Sequence, residues 1–280
     1  MEPTCGFEGN SDLYGLGLRL GLYIQYVALV LANIRHYNTE EKANKKSEMF
    51  LFLRGAVLVY VLANFIGMVH ATKHRCIYAC EVVIWLLELL PQLMPAGRPR
   101  IKLFGSYKTS LSITDALLYL VVRAFILYQV YFWWRGVNVL PQSPCEEVVW
   151  VFVRAKLRGI LKHFLRILFL IWTIGIVFDL LLFLGVASTI GSKKVQPDKI
   201  LCFKIQYDQW IKPISPTSIF LTFVFSVAAI EMTIQWNGIS GVYAVDSAGQ
   251  LLPILVSSGS LLHVLFAQKE DTDAAGEDLA

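Results

Sequence analysis

Arg19, Glu81 and Glu231 are ionisable side chains set inside long apolar runs. A charge at membrane depth is expensive unless another charge or water offsets it. A helical rise of about 1.5 Å per residue puts all three roughly 8–9 Å below the same surface. Arg19 can pair with either carboxylate. If Glu81 and Glu231 converge without enough positive charge, one of them holds a proton near neutral pH. Such a group serves as a general acid or couples a proton to transport. Asp12, Gln25, His70, Gln235, Trp236 and Asn237 fall nearby. Asp12, Arg19, Gln25, Glu81, Glu231, Gln235, Trp236 and Asn237 therefore form the expected ligand-binding set, with Glu81 and Glu231 as catalytic candidates. The plainer reading of the same residues is ion pairing between helices that specifies packing.

A deeper layer holds Glu88, Asp179 and His263, with Arg123 near the midplane. Glu81 and Glu88 are seven residues apart and project from one helix face, which Arg123 of the next run can approach.

The elements that must position these groups are membrane helices. Of 280 residues 56% are hydrophobic and only 16% charged, and the mean hydropathy is +0.55. A soluble domain of this length carries about one quarter charged residues. A span needs about 20 predominantly apolar residues. Seven runs qualify: 13–34, 50–71, 76–94, 112–134, 164–187, 217–236 and 249–267. The expected fold is an all-α seven-transmembrane-helix bundle, one domain over 1–268, followed by a disordered acidic tail over 269–280. Thr72–Arg75 closes a tight hairpin between runs two and three. Gly17 and Gly21 form a GxxxG pair that allows close helix approach. Ser247 and Gln250 have capping-box spacing at the start of run seven.

With the N-terminus outside, inner segments and the tail hold 14 Lys and Arg and outer segments 7. The positive-inside rule thus places the N-terminus outside or in the lumen and the C-terminus in the cytosol. The endoplasmic reticulum or another endomembrane is the expected location. Arg154, Arg158, Lys162 and Arg166 recur every four residues, with Trp150, Val153, Leu157, Leu161 and Phe164 on the other side. This spacing predicts an interfacial amphipathic helix before helix five.

Several chemistries lack their motifs. There is no Walker loop, GxSxG elbow, HExxH pair or carboxylate-rich diphosphate–magnesium motif, and no cofactor is implied. Cys76 and Cys80 have no further ligands at metal spacing, so no metal is expected. Cys5 and Cys145 both fall in outer segments and can form a disulfide. A net charge of +4 is what basic inner loops require and offers no case for nucleic acid. The expected partners are membrane lipid and a small lipophilic substrate. The first 12 residues lack a signal-peptide pattern, so the first run is expected to act as its own insertion signal.

Two stretches, CGFEGNSDLYGLGLRLGLYIQ from Cys5 to Gln25 and IEMTIQWNGISGVYAVDSAGQLLP from Ile230 to Pro253, resemble a pattern in uncharacterised fungal integral membrane proteins. Such proteins are often encoded beside secondary-metabolite genes. The resemblance implies an accessory membrane protein of fungal secondary metabolism, with a polar intramembrane pocket for a small lipophilic molecule. Two other readings fit the residues. One is a membrane isoprenoid cyclase using an intramembrane Glu as general acid. The other is a seven-helix carrier or receptor.

Overall fold

The computed structural model describes residues 5–38, 43–96, 113–191, 216–245 and 247–277. The chain begins with a short strand β1 (Phe7–Glu8) and one helical turn α1 (Ser11–Tyr14). The long helices follow: α2 (Leu16–Asn38), α3 (Ala43–His74), α4 (Ala79–Ala96) and α5 (Ile113–Tyr131). A π-helical turn (Phe132–Gly136) and the short α6 (Val137–Val139) end the fourth run. Strands β2 (Val148–Val151) and β3 (Val153–Lys156) come next, then α7 (Ile160–Gly191) and α8 (Pro216–Trp236). The chain closes with β4 (Ile239–Ser240) and α9 (Ala248–Glu277). Each apolar run thus lies on a long helix, and among the described residues six helices are long and apolar enough to cross a membrane.

The exception is α4, the most enclosed helix. It packs against α2, α3, α5 and α8, and Val82, Ile84, Trp85 and Leu89 are at most 1% exposed. A helix shielded on all sides does not need an unbroken apolar sequence. It carries Glu81, Glu88 and Gln92, all buried. At the other extreme, only 11% of the apolar window of α7 is buried. Ile167, Ile171, Ile174 and Phe178 stand exposed on it, as lipid contact requires.

Helices α2 and α9 make the closest pair and run parallel. Gly17 faces Gln250, and Gly21 faces Pro253 four residues on. A methyl group at either glycine would lie 2.7 Å from the Cβ of its partner. The GxxxG pair therefore sets the spacing of the first and last helices.

Two expectations are corrected. Residues 148–156 do not form an amphipathic helix but an antiparallel hairpin, with Val148 opposite Lys156 and Val151 opposite Val153. Val148, Val149, Val151 and Val153 are β-branched, which favours a strand. Phe152 turns the chain with φ +62°. Arg158 lies in the turn before α7, and Lys162 and Arg166 lie within the start of α7. Helix α9 runs on to Glu277, and Ala, Glu, Lys and Gln there are good helix formers. Last, the Ser247 hydroxyl makes no hydrogen bond among the described residues, so no capping box closes; the side-chain Oε1 of Gln250 accepts from the Gly17 N–H, at 3.5 Å.

Candidate functional site

At one end of the bundle the N-terminal segment and three connections interlock. Strand β1 pairs parallel with β4, Phe7 opposite Ile239 and Glu8 opposite Ser240. A disulfide joins Cys5 to Cys145 across 5.8 Å between Cα atoms. Asn237, at the end of α8, holds strand β2. Its Oδ1 accepts from the Val148 N–H at 3.0 Å, and its Nδ2 donates to the Val148 carbonyl at 2.7 Å. The Thr233 hydroxyl accepts from the Trp150 N–H at 3.1 Å. Side chains of α8 thus substitute for a third strand, so the hairpin edge is covered. The stretches around Cys5–Gln25 and Ile230–Pro253 meet here as one unit.

Beneath this cap Arg19 is fully buried and pairs with Glu231 at 2.5 Å. Its Nη2 donates to the Val242 carbonyl at 3.1 Å, and its guanidinium lies 5.2 Å from the Tyr243 ring centre. The Tyr23 hydroxyl donates to Glu231 Oε1 at 3.2 Å. Arg19 thus takes Glu231 and not Glu81.

Glu81 is held separately. Tyr14 donates to its Oε1 at 2.5 Å, and the Tyr78 backbone N–H to its Oε2 at 2.8 Å. Glu81 is the third residue of α4 and Tyr78 immediately precedes the helix. This is the return half of a capping box, in which an N3 carboxylate satisfies the N-cap N–H.

The two expected catalytic candidates therefore do not converge. Asp12 is exposed on α1, Gln235 is exposed, and Trp236 is half-buried. Gln25 is buried, with its amide atoms outside any hydrogen bond among the described residues. His263 is exposed on α9 and the Asp179 side chain lies outside the described residues, while Glu88 is enclosed at 2% exposure. Arg123 lies 4.5 Å from the Tyr119 ring centre.

Both Glu88 oxygens lack a hydrogen-bond partner among the described residues. They border a small cavity shared with Tyr23, Gln92 and Ser226, in which a water-sized sphere has about 10 Å³ for its centre. That is room for one water molecule.

A larger cavity of about 440 Å³ opens at the same end, between α3 and α5. Thr72 and Tyr128 join across it by a 2.6 Å hydrogen bond between hydroxyls. Val69, Tyr131 and Val139 supply apolar surface, and Lys73, Arg75 and Arg135 supply charge. The π turn adds a residue to the helix and so re-aims Arg135. Arg75 caps α3 with φ +55°, a left-handed conformation usually left to glycine.

Sequence reasoning singled out neither this cavity nor Tyr14 and Tyr23. The tyrosines had one usable signal. Tyr23 is four residues beyond Arg19, so both lie on one face of α2. No protein-family model matches the chain, and no curated protein or solved structure gives a significant match.

Proposed function

We propose that this chain is a seven-pass accessory membrane protein that binds a small lipophilic molecule beside α3 and α5, at its lumenal or outer end. The observation that carries this reading is the contrast between the two cavities. The one bordered by Glu88 has room for one water, whereas the one between α3 and α5, about 440 Å³, falls in the size range of ligand sites. An isoprenoid cyclase would need a substrate-sized apolar chamber ending at a carboxyl. Glu81 and Glu231 are instead engaged by Tyr14, Tyr23 and Arg19. A carrier would need outer and inner polar groups along one path, and His263 stands exposed on α9.

Parallel packing of α2 and α9 supports seven passes. First and last spans run the same way only if their number is odd, and α4 is the helix that makes six into seven. The Cys5–Cys145 disulfide supports an oxidising compartment for the capped end. The link to fungal secondary metabolism rests on the two terminal stretches alone.

The test is metabolite profiling of a deletion strain, with wild-type and Glu231→Gln complements expressed at equal level. Deletion should remove or redirect a product, and both complements should restore it. Unchanged metabolites in the deletion strain would sink the accessory role. A well-expressed Gln variant that fails to restore the product would return Glu231 to the chemistry.

A further inference from the structure

Most cations at the capped end have assigned partners. Lys156 pairs with Glu146 at 2.7 Å, and Arg158 lies 3.6 Å from Glu147. Arg158 also donates to the Val137 and Leu140 carbonyls, at 3.2 and 3.4 Å. Arg166 donates to the Trp133 and Trp134 carbonyls at 2.8 and 3.0 Å, and Lys162 to Asn138 at 3.3 Å. The two arginines satisfy carbonyls that the π turn and the end of α6 leave open.

Lys73, Arg75 and Arg135 are different. All three are exposed, none makes an ion pair among the described residues, and all three line the same cavity. Like charges gathered around one space repel unless an anion sits among them. Tyr128, Tyr131 and the Thr72 hydroxyl add hydrogen-bonding groups at the same level, while Val69 and Val139 offer contact for a hydrocarbon chain.

The geometry points to a phosphate-binding site for an anionic amphiphile, with the phosphate among Lys73, Arg75 and Arg135 and the chain along α3 and α5. This rests on the reading of the cavity as the binding site and adds the ligand's chemical class. The phosphate has two sources, a membrane phospholipid or a soluble phosphate.

The test uses the full chain in phosphatidylcholine nanodiscs, with and without phosphatidic acid. Bound lipid is read by native mass spectrometry, and inorganic phosphate is the soluble arm. A cation near anionic lipid contributes about 1 kcal/mol. Each single substitution, Lys73→Gln, Arg75→Gln or Arg135→Gln, should therefore weaken phosphatidic acid retention about fivefold, and the triple on the order of a hundredfold. Arg154→Gln, exposed on β3 and outside the cavity, should leave it unchanged. The single variants keep the test decisive if the triple does not fold.

Preferential retention of phosphatidic acid identifies a bilayer lipid. Equal protection by inorganic phosphate identifies a soluble source. Equal loss in Arg154→Gln would reduce the effect to general surface potential and overturn the proposal. So would a lower melting temperature with unchanged lipid retention, which would leave the cations as helix C-terminal caps. Retention of phosphatidylcholine with no preference for phosphatidic acid or inorganic phosphate would overturn this inference while leaving the cavity a binding site. Retention of no lipid together with no binding of inorganic phosphate would sink both.

Discussion

Two charged clusters sit at the same end of this molecule and resolve their charge in opposite ways. Around Arg19 the charge is closed. A fully buried guanidinium meets a carboxylate, a carbonyl and an aromatic ring, and the segment from β4 to α9 covers it. Around Arg135 the charge is open, with three cations facing a cavity of about 440 Å³ and no acid among the described residues. The first arrangement ties α2 to α8 and to the segment that leads into α9. The second has little to do with holding the fold. Location inside an apolar run therefore marks structural need here, and location at a run end marks availability.

If that distinction holds, the closed cluster should be sensitive to substitution. Arg19→Met strands Glu231 and removes the bond to Val242. Breaking a fully buried pair costs about 3–5 kcal/mol. Glu231 is 37% exposed, which discounts this to about 3 kcal/mol, the low end of that range. Thermal unfolding in detergent reads the loss, and adding Glu231→Met should recover part of it. A melting temperature unchanged by Arg19→Met would erase the contrast between the clusters. Next in size, Cys5→Ser should cost about 2 kcal/mol, low in the usual range because β1–β4 pairing and Asn237 also secure the cap. Asn237→Ala strands the Val148 N–H and should cost about 1–2 kcal/mol, with faster hydrogen exchange confined to the β2–β3 hairpin. Single substitutions of Lys73, Arg75 or Arg135 should stay within about 0.5 kcal/mol.

The two clusters were not equally legible in the sequence. Arg19, Glu81 and Glu231 stand out because an ion among twenty apolar residues is conspicuous, and their shared depth followed from helical rise alone. Pairing did not follow, because depth carries no azimuth. Glu81, at the third position of α4, faces the Tyr14 hydroxyl and the Tyr78 N–H, so it became a helix cap. Lys73, Arg75 and Arg135 counted only as outer-loop charges. Their convergence depends on a left-handed Arg75 and a π turn, and neither has a local sequence signature. The hairpin at 148–156 was misread because its basic residues also fit a four-residue repeat, while β-branching and the Asn237 clamp decided for strands.

Glu147 gives the smallest effect and tests whether closure extends to the rim of the cap. It is 6% exposed and faces the first N–H groups of α4 and the guanidinium of Arg158, with no hydrogen bond of ordinary geometry to its carboxylate oxygens. Burial pushes its carboxyl above the ordinary 4.5, and Arg158 with the Cys80 and Ala79 backbone pulls it partly back. The folded chain then holds this proton more tightly than the unfolded chain. Below the ordinary value both forms are protonated and Glu147 contributes no pH dependence. As pH rises from 4.5 through the raised folded value, the unfolded form ionises first and stability falls. Above that window the loss is constant. Melting temperatures of wild type and Glu147→Gln should therefore diverge upward from about pH 4.5, with the Gln variant relatively more stable at neutral pH. Parallel curves would mean that Arg158 and the start of α4 fully offset burial, which would make the rim as closed as the Arg19 cluster.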